Sequence, residues 1–132
     1  MGGVKMTKAQ IKKYDKMWSK LVLSKYPRCP RCDSNEAMSP HHIVKRRKYS
    51  TRWDLRNGIG LCRRCHCFAE HWLVDFTNWL LKYKAKKCSW SHVIKWFDLL
   101  VKKGNQTGNK LIIEKDLRRL EKKWEKYKNS KK

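Results

Sequence analysis

Six cysteines and five histidines stand out in a chain of 132 residues. Four of the cysteines form two C-x-x-C pairs, Cys29-Pro30-Arg31-Cys32 and Cys62-Arg63-Arg64-Cys65. Thiolates paired at that spacing can share one tetrahedral Zn²⁺, so Cys29, Cys32, Cys62 and Cys65 are candidate ligands of a structural zinc. Between and just after the pairs lie His41-His42, Asn57 and His66. Hydrolysis of a phosphodiester needs a base to take a proton from water and a cation to neutralise the charge that builds on phosphorus and the leaving oxygen. It also needs a group that holds the base in one orientation. A histidine pair, an asparagine and a further histidine can supply all three. Cys67 and Cys88 are left over and read as ordinary buried thiols.

The chain carries 34 Lys and Arg against 11 Asp and Glu, a formal charge of +23. Self-repulsion of that size is tolerated for a polyanionic partner, and nucleic acid is the expected one. Lys45, Arg46, Arg47 and Arg52 follow the histidine pair closely and are candidate contacts to the DNA backbone, positioning it without reading bases. Trp53, in the same basic stretch, is open between a core position and a base-stacking one. No window approaches the roughly 20 apolar residues of a membrane-spanning helix, so no membrane role is expected. No secretory signal is read either, and the opening residues 1–6 have Met6 where a myristoylation motif wants Ser or Thr. These features point to the cytoplasm, a reducing compartment in which paired cysteines bind metal rather than form disulfides.

The positions of these groups depend on the elements around them. Ile11, Tyr14, Trp18, Leu21 and Val22 recur at helical spacing and predict a helix over 7–26, before Pro27. The segment 29–65 holds turn-forming residues and two short apolar pieces, Ile43-Val44 and Ile59-Gly60-Leu61, expected as brief strands. Trp72, Leu73, Phe76, Trp79, Leu80 and Tyr83 read as the buried face of one helix starting near the second cysteine pair. Ser89 can cap the next helix and Gly104 close it, before a polar turn over 105–109. Leu117, Leu120, Trp124 and Tyr127 predict a last helix, fraying from about residue 129. The seven tryptophans read as core or as a homodimer interface. The expected architecture is α+β and dominated by helix. One domain spans 1–132, with a helical arm over 7–26, a zinc-organised core over 27–87 and a helical extension over 88–132.

Residues 29–71 resemble the HNH, or ββα-metal, endonuclease family. The resemblance implies a ββα core around a four-cysteine zinc scaffold, with His42 as general base and Asn57 as the residue orienting it. It implies His41 and His66 as ligands of one catalytic Mg²⁺ or Mn²⁺. A third ligand in that family is often a histidine four positions beyond the one matching His66; here that position is Glu70, with His71 one later. Helical residues four apart share a face, whereas those five apart diverge by about 140°, which favours Glu70 over His71. A carboxylate also suits a hard cation better than imidazole does. The basic stretch 45–57 is similar, over a shorter length, to the phage NinG (Rap) recombination endonucleases, which cut branched DNA. The expected function is therefore a metal-dependent DNA endonuclease that nicks or resolves branched DNA such as Holliday junctions. The alternative is a non-catalytic zinc-ribbon DNA-binding protein.

Overall fold

The computed structural model describes residues 5–106 and 109–131. Part of the opening segment weighed above for lipidation, and part of the polar turn after Gly104, lie outside the described residues. The elements run α1 (Lys8–Leu23), β1 (Ser39–His42), α2 (Tyr49–Arg52), a 3₁₀ turn (Leu55–Asn57), β2 (Gly58–Leu61), α3 (Arg63–His71), α4 (Leu73–Ala85), α5 (Trp90–Gly104) and α6 (Lys110–Ser130). Among the described residues the protein is thus α+β, six helices around a two-stranded antiparallel sheet. Among the described residues no helix is long and apolar enough to cross a membrane.

The helix starts follow from local chemistry. Thr7 caps α1: its hydroxyl accepts the Gln10 amide at 3.1 Å and the Gln10 side chain accepts the Thr7 amide at 2.9 Å, satisfying two donors that the helix leaves open. Ser89 accepts the His92 amide at the start of α5, and Asn109 accepts the amides of Leu111 and Ile112 at the start of α6.

The sheet divides the core. In the β1–β2 pair Ser39 faces Leu61, Pro40 faces Gly60, His41 faces Ile59 and His42 faces Gly58. Side chains alternate along a strand and opposed residues share a face. Ser39, His41, Ile59 and Leu61 therefore point one way, into a cluster with Cys29, Cys62, Cys65, Ala69, Phe76 and Leu80. Pro40, His42, Gly58 and Gly60 point the other way, towards α1. The second cluster lies on that side, with Met17, Trp18, Leu21 and Val22 of α1 packed with Trp53, Ile113 and Leu120. Close approach of α1 depends on glycine, since a Cβ at Gly58 would lie 2.5 Å from Val22 Cγ2 and 2.8 Å from a ring carbon of Trp18.

The first strand lies earlier than Ile43-Val44. Strand pairing stops at His42 because Asn57 takes over there: its amide side chain accepts the Val44 amide at 2.6 Å and donates to the Val44 and Thr51 carbonyls at 2.9 and 3.1 Å. The single helix expected through 72–83 is two, α3 and α4, broken at Trp72. Only Phe76 and Leu80 of its apolar stripe are fully buried, and Trp72 and Leu73 are exposed. Cys67 and Cys88 are exposed rather than buried, because Cys67 falls on the outer face of α3 and Cys88 just past the end of α4. Trp53 is a core residue, 1% exposed.

A charged cluster braces the corner after α2. Lys103 of α5 donates to Asp54 at 2.7 Å and to both oxygens of Asp116 of α6 at 2.8 Å, while Arg56 binds Asp54 from the other side. Burial alone would raise the Asp54 pKa, but the hydrogen bonds from Arg56 and Lys103 hold it at about 2 against an ordinary 3.8. A depressed carboxylate stabilises the fold above its ordinary pKa, so this contribution is lost as the pH falls from 3.8 towards 2.

Candidate metal centre

Among the described residues two clusters of metal-ligating side chains form, and both are ones the sequence singles out. In the first, the thiol sulfurs of Cys29, Cys32, Cys62 and Cys65 all lie within 4.8 Å of one another, the Cys32–Cys62 pair at 3.4 Å. A tetrahedral Zn–S shell has sulfur–sulfur edges of about 3.8 Å, inside that span. The first pair is shaped by its turn: the Cys29 amide donates to the Ser34 carbonyl at 2.7 Å and the Asp33 amide returns to the Cys29 carbonyl at 2.8 Å. That return puts Asp33 at a positive φ of 66°, a conformation that Asp tolerates better than most side chains. The second pair opens α3, so its thiols sit at a helix N-terminus, which favours negative charge. Hydrogen bonding to the Ser34 backbone and to Cys62 draws Cys32 down to about 6, whereas burial pushes Cys65 up to about 12. Four thiolates this close repel one another unless a cation sits among them, and the set is compatible with structural zinc.

The second cluster is His41, His66 and Glu70, again with one ligand atom each and all within 4.8 Å. His41 Nδ1 lies 3.5 Å and His66 Nε2 3.4 Å from Glu70 Oε1, too long for strong hydrogen bonds but close to the roughly 3 Å edges of an octahedral shell around a small cation. Among the described residues, the buried His41 Nδ1 has no hydrogen-bond partner. A buried polar atom without a partner is costly, and a ligated cation would remove that cost. Burial and the neighbouring His66 push His41 down to about 4, with Glu70 opposing in part, so its ring is neutral and able to ligate at neutral pH.

Surrounding groups fix both rings. Ser39 Oγ meets His66 Nδ1 at 2.7 Å, leaving Nε2 for the site. Phe76 of α4 packs edge-on against His41, with ring centroids 5.2 Å apart. Glu70 follows His66 by one helical turn and joins it, whereas His71, one residue further round α3, is exposed and outside the cluster. Ser39 is not among the residues that the motifs single out. Its place two residues before His41, and so on the same strand face, is the signal in the sequence that could have found it.

His42 points to the opposite face of the sheet. Its ring lies parallel to Trp18, with centroids 3.8 Å apart and planes 8° apart. Its Nε2 is 3.0 Å from the Arg52 carbonyl. A carbonyl only accepts, so Nε2 carries the proton and Nδ1 is the free acceptor. Burial lowers the His42 pKa to about 4, partly offset by the bond to Arg52. Asn57 makes no hydrogen bond to this ring; it ties down the Val44 and Thr51 backbone on either side. The groups that hold this ring are Trp18 and the Arg52 carbonyl; Asn57 fixes the Thr51 backbone next to Arg52 and the Val44 backbone beyond the strand, with no hydrogen bond to α1 among the described residues.

Arg52 is not a surface cation. Its side chain is 8% exposed and its guanidinium binds Asp15 of α1 through two hydrogen bonds, at 2.9 and 2.6 Å. Trp53 Nε1 donates to the same carboxylate at 3.0 Å. The side chain expected to touch DNA backbone instead docks α2 onto α1, because Asp15 is the one acid in the α1 sequence and its charge needs a partner. Lys45, Arg46 and Arg47 remain exposed. With His41, His42, His66, Glu70 and Leu73 they line a cleft of about 470 Å³.

Comparison of the chain with protein-family models, with curated proteins and with solved structures gives no match. The chemistry of the site rests on its own residues.

Proposed function

We propose that this chain is a zinc-stabilised, divalent-cation-dependent DNA endonuclease of the HNH type. The observation that carries the reading is the buried, unpartnered Nδ1 of His41 converging with His66 and Glu70 in a cleft that His42, the next residue of β1, also lines. A strand pair followed by a helix that begins at a cysteine pair is the order the family resemblance implies, and it supports the same reading.

Mg²⁺ or Mn²⁺ held by His41, His66 and Glu70 would neutralise charge developing on the scissile phosphate and the departing 3′ oxygen. The chain's own residues do the rest. His42, neutral at physiological pH and donating through Nε2 to Arg52, takes a proton from water at Nδ1 as that water attacks phosphorus in line. Trp18 and the Arg52 carbonyl leave the ring one orientation. Lys45, Arg46 and Arg47 hold the DNA backbone over the cleft by contacts that carry no base information. The zinc cluster is scaffold, tying the loop before β1 to the start of α3.

The test is incubation of zinc-loaded protein with linear and four-way DNA side by side, with and without Mg²⁺ or Mn²⁺. Cation-dependent cutting is expected. Paired, symmetric cuts on the four-way substrate would make the enzyme a junction resolvase of the phage recombination type, acting as a homodimer; single cuts would make it a nicking enzyme. A zinc-ribbon module that only binds DNA would retard both substrates and cut neither.

A further inference from the structure

The corner between α3 and α4 presents apolar side chains to solvent beside the cleft. Trp72 is 61% exposed, Leu73 53% and Val74 82%. The corner is not frayed: the Trp72 amide donates to the Phe68 carbonyl at 2.8 Å and its own carbonyl accepts the Phe76 amide at 2.9 Å. Soluble proteins rarely leave contiguous large apolar groups uncovered without a partner for them, and a chain in which 34% of residues are charged has no shortage of polar ones. Leu73 shares the cleft wall with Glu70 and His66, and Lys45, Arg46 and Arg47 line the same cleft. Cations and an apolar step thus flank one candidate metal site.

We infer that Trp72, Leu73 and Val74 form a wedge that enters the base stack of DNA whose backbone lies on Lys45, Arg46 and Arg47, so that the preferred substrate is duplex with a weakened base step. This rests on the endonuclease reading above. DNA presents two chemistries within a few ångströms of each other, phosphate at the edge and stacked bases inside, and the corner and its basic neighbours match them in that order. Apolar side chains inserted between base pairs unstack a step at a cost of about a few kcal/mol. The cost is smallest where stacking is already broken, at a mismatch, a nick or a branch point. An anionic lipid surface would also take an apolar corner with basic neighbours, but it gives no reason for the corner to adjoin the His41–His66–Glu70 cluster, whereas a scissile phosphate does.

The test uses the full zinc-loaded chain and duplexes carrying 2-aminopurine at successive positions, matched or with one mismatch. Binding is read without added Mg²⁺ or Mn²⁺ and cutting with it. Wild-type protein is expected to raise 2-aminopurine fluorescence at one step and to cut the mismatched duplex about tenfold faster than the matched one. In the triple variant Trp72→Ser, Leu73→Ser, Val74→Ser the rise disappears and the ratio of rates falls towards one. Val74→Glu, at the most exposed of the three positions, does the same in part and covers the case in which the triple variant does not fold. Cutting by wild type with no fluorescence rise at any position overturns the wedge and leaves the endonuclease reading standing; no cutting of any duplex overturns both. Wild-type protein that sediments with phosphatidylcholine–phosphatidylglycerol vesicles, while the triple variant does not and both treat DNA alike, overturns the wedge in favour of a membrane contact.

Discussion

His42 lies flat against Trp18, ring centroids 3.8 Å apart and planes within 8°, although the two are far apart in the chain. Trp18 is 2% exposed and its Nε1 donates to the Asp54 carbonyl at 3.0 Å, so the surface beneath His42 is rigid. Trp18→Leu is expected to lower kcat by about tenfold or more with KM nearly unchanged, because it removes the plane that orients the base and not the phosphate contacts. Trp18→Phe keeps a ring and is expected to lose less. Steady-state kinetics on both variants checks this; equal losses at equal thermal stability would mean that Trp18 only fills space.

The Arg52–Asp15 pair gives a second expectation. Arg52→Ala leaves a half-buried carboxylate without its cation, only the Trp53 indole still donating to it, and is expected to cost about 2–4 kcal/mol of stability. It also loosens the carbonyl that holds His42. Arg46→Ala, at an exposed position, is expected to leave stability alone and to weaken binding similarly across DNA sequences, reducing its salt dependence. Thermal melts and salt-titrated binding separate the two; a stable Arg52→Ala protein with weakened DNA binding would return Arg52 to the DNA surface.

The four cysteines are expected to hold about one zinc per chain, with binding energy that is also folding energy. Cys29→Ser or Cys62→Ser should lose both the metal and the cooperative thermal transition, and strong chelators should do the same to wild type. Elemental analysis beside circular dichroism checks this. A folded, zinc-free Cys62→Ser protein would show that the cluster is not structural.

Much of the site is legible in the sequence because its ligands come in short-range patterns. Cys-x-x-Cys fixes a turn, His66 and Glu70 share a helical face by spacing, and adjacent histidines on a strand must point to opposite faces. What is not legible comes from partners far apart in the chain. Trp18 fits the apolar stripe of α1, and nothing local says that the stripe also supports His42. Arg52 looks like its basic neighbours until Asp15, 37 residues earlier, takes its charge. The break at Trp72 is hidden because the apolar spacing runs on across it, and periodicity reports which residues are apolar, not whether the backbone turns.

Within the His41–His66–Glu70 cluster, Glu70→Ala is expected to raise the Mg²⁺ or Mn²⁺ concentration needed for half-maximal cutting by about tenfold or more, since the site loses its one anionic ligand. His71→Ala should change it little. Metal titrations of the two variants make the comparison, and the reverse ranking would assign the ligand role to His71.

The most direct measurement compares single-turnover cleavage by wild-type protein and His42→Ala, both zinc-loaded, in Mg²⁺ or Mn²⁺, alongside their DNA affinities. Wild type is expected to cut. His42→Ala is expected to be slower by about 10²–10⁴-fold, the usual contribution of a general base, with affinity within about threefold because the proposed binding rests on dispersed Lys and Arg contacts. Wild-type protein that binds DNA but cuts none of it, or a His42→Ala variant that cuts as fast as wild type, would contradict the assignment.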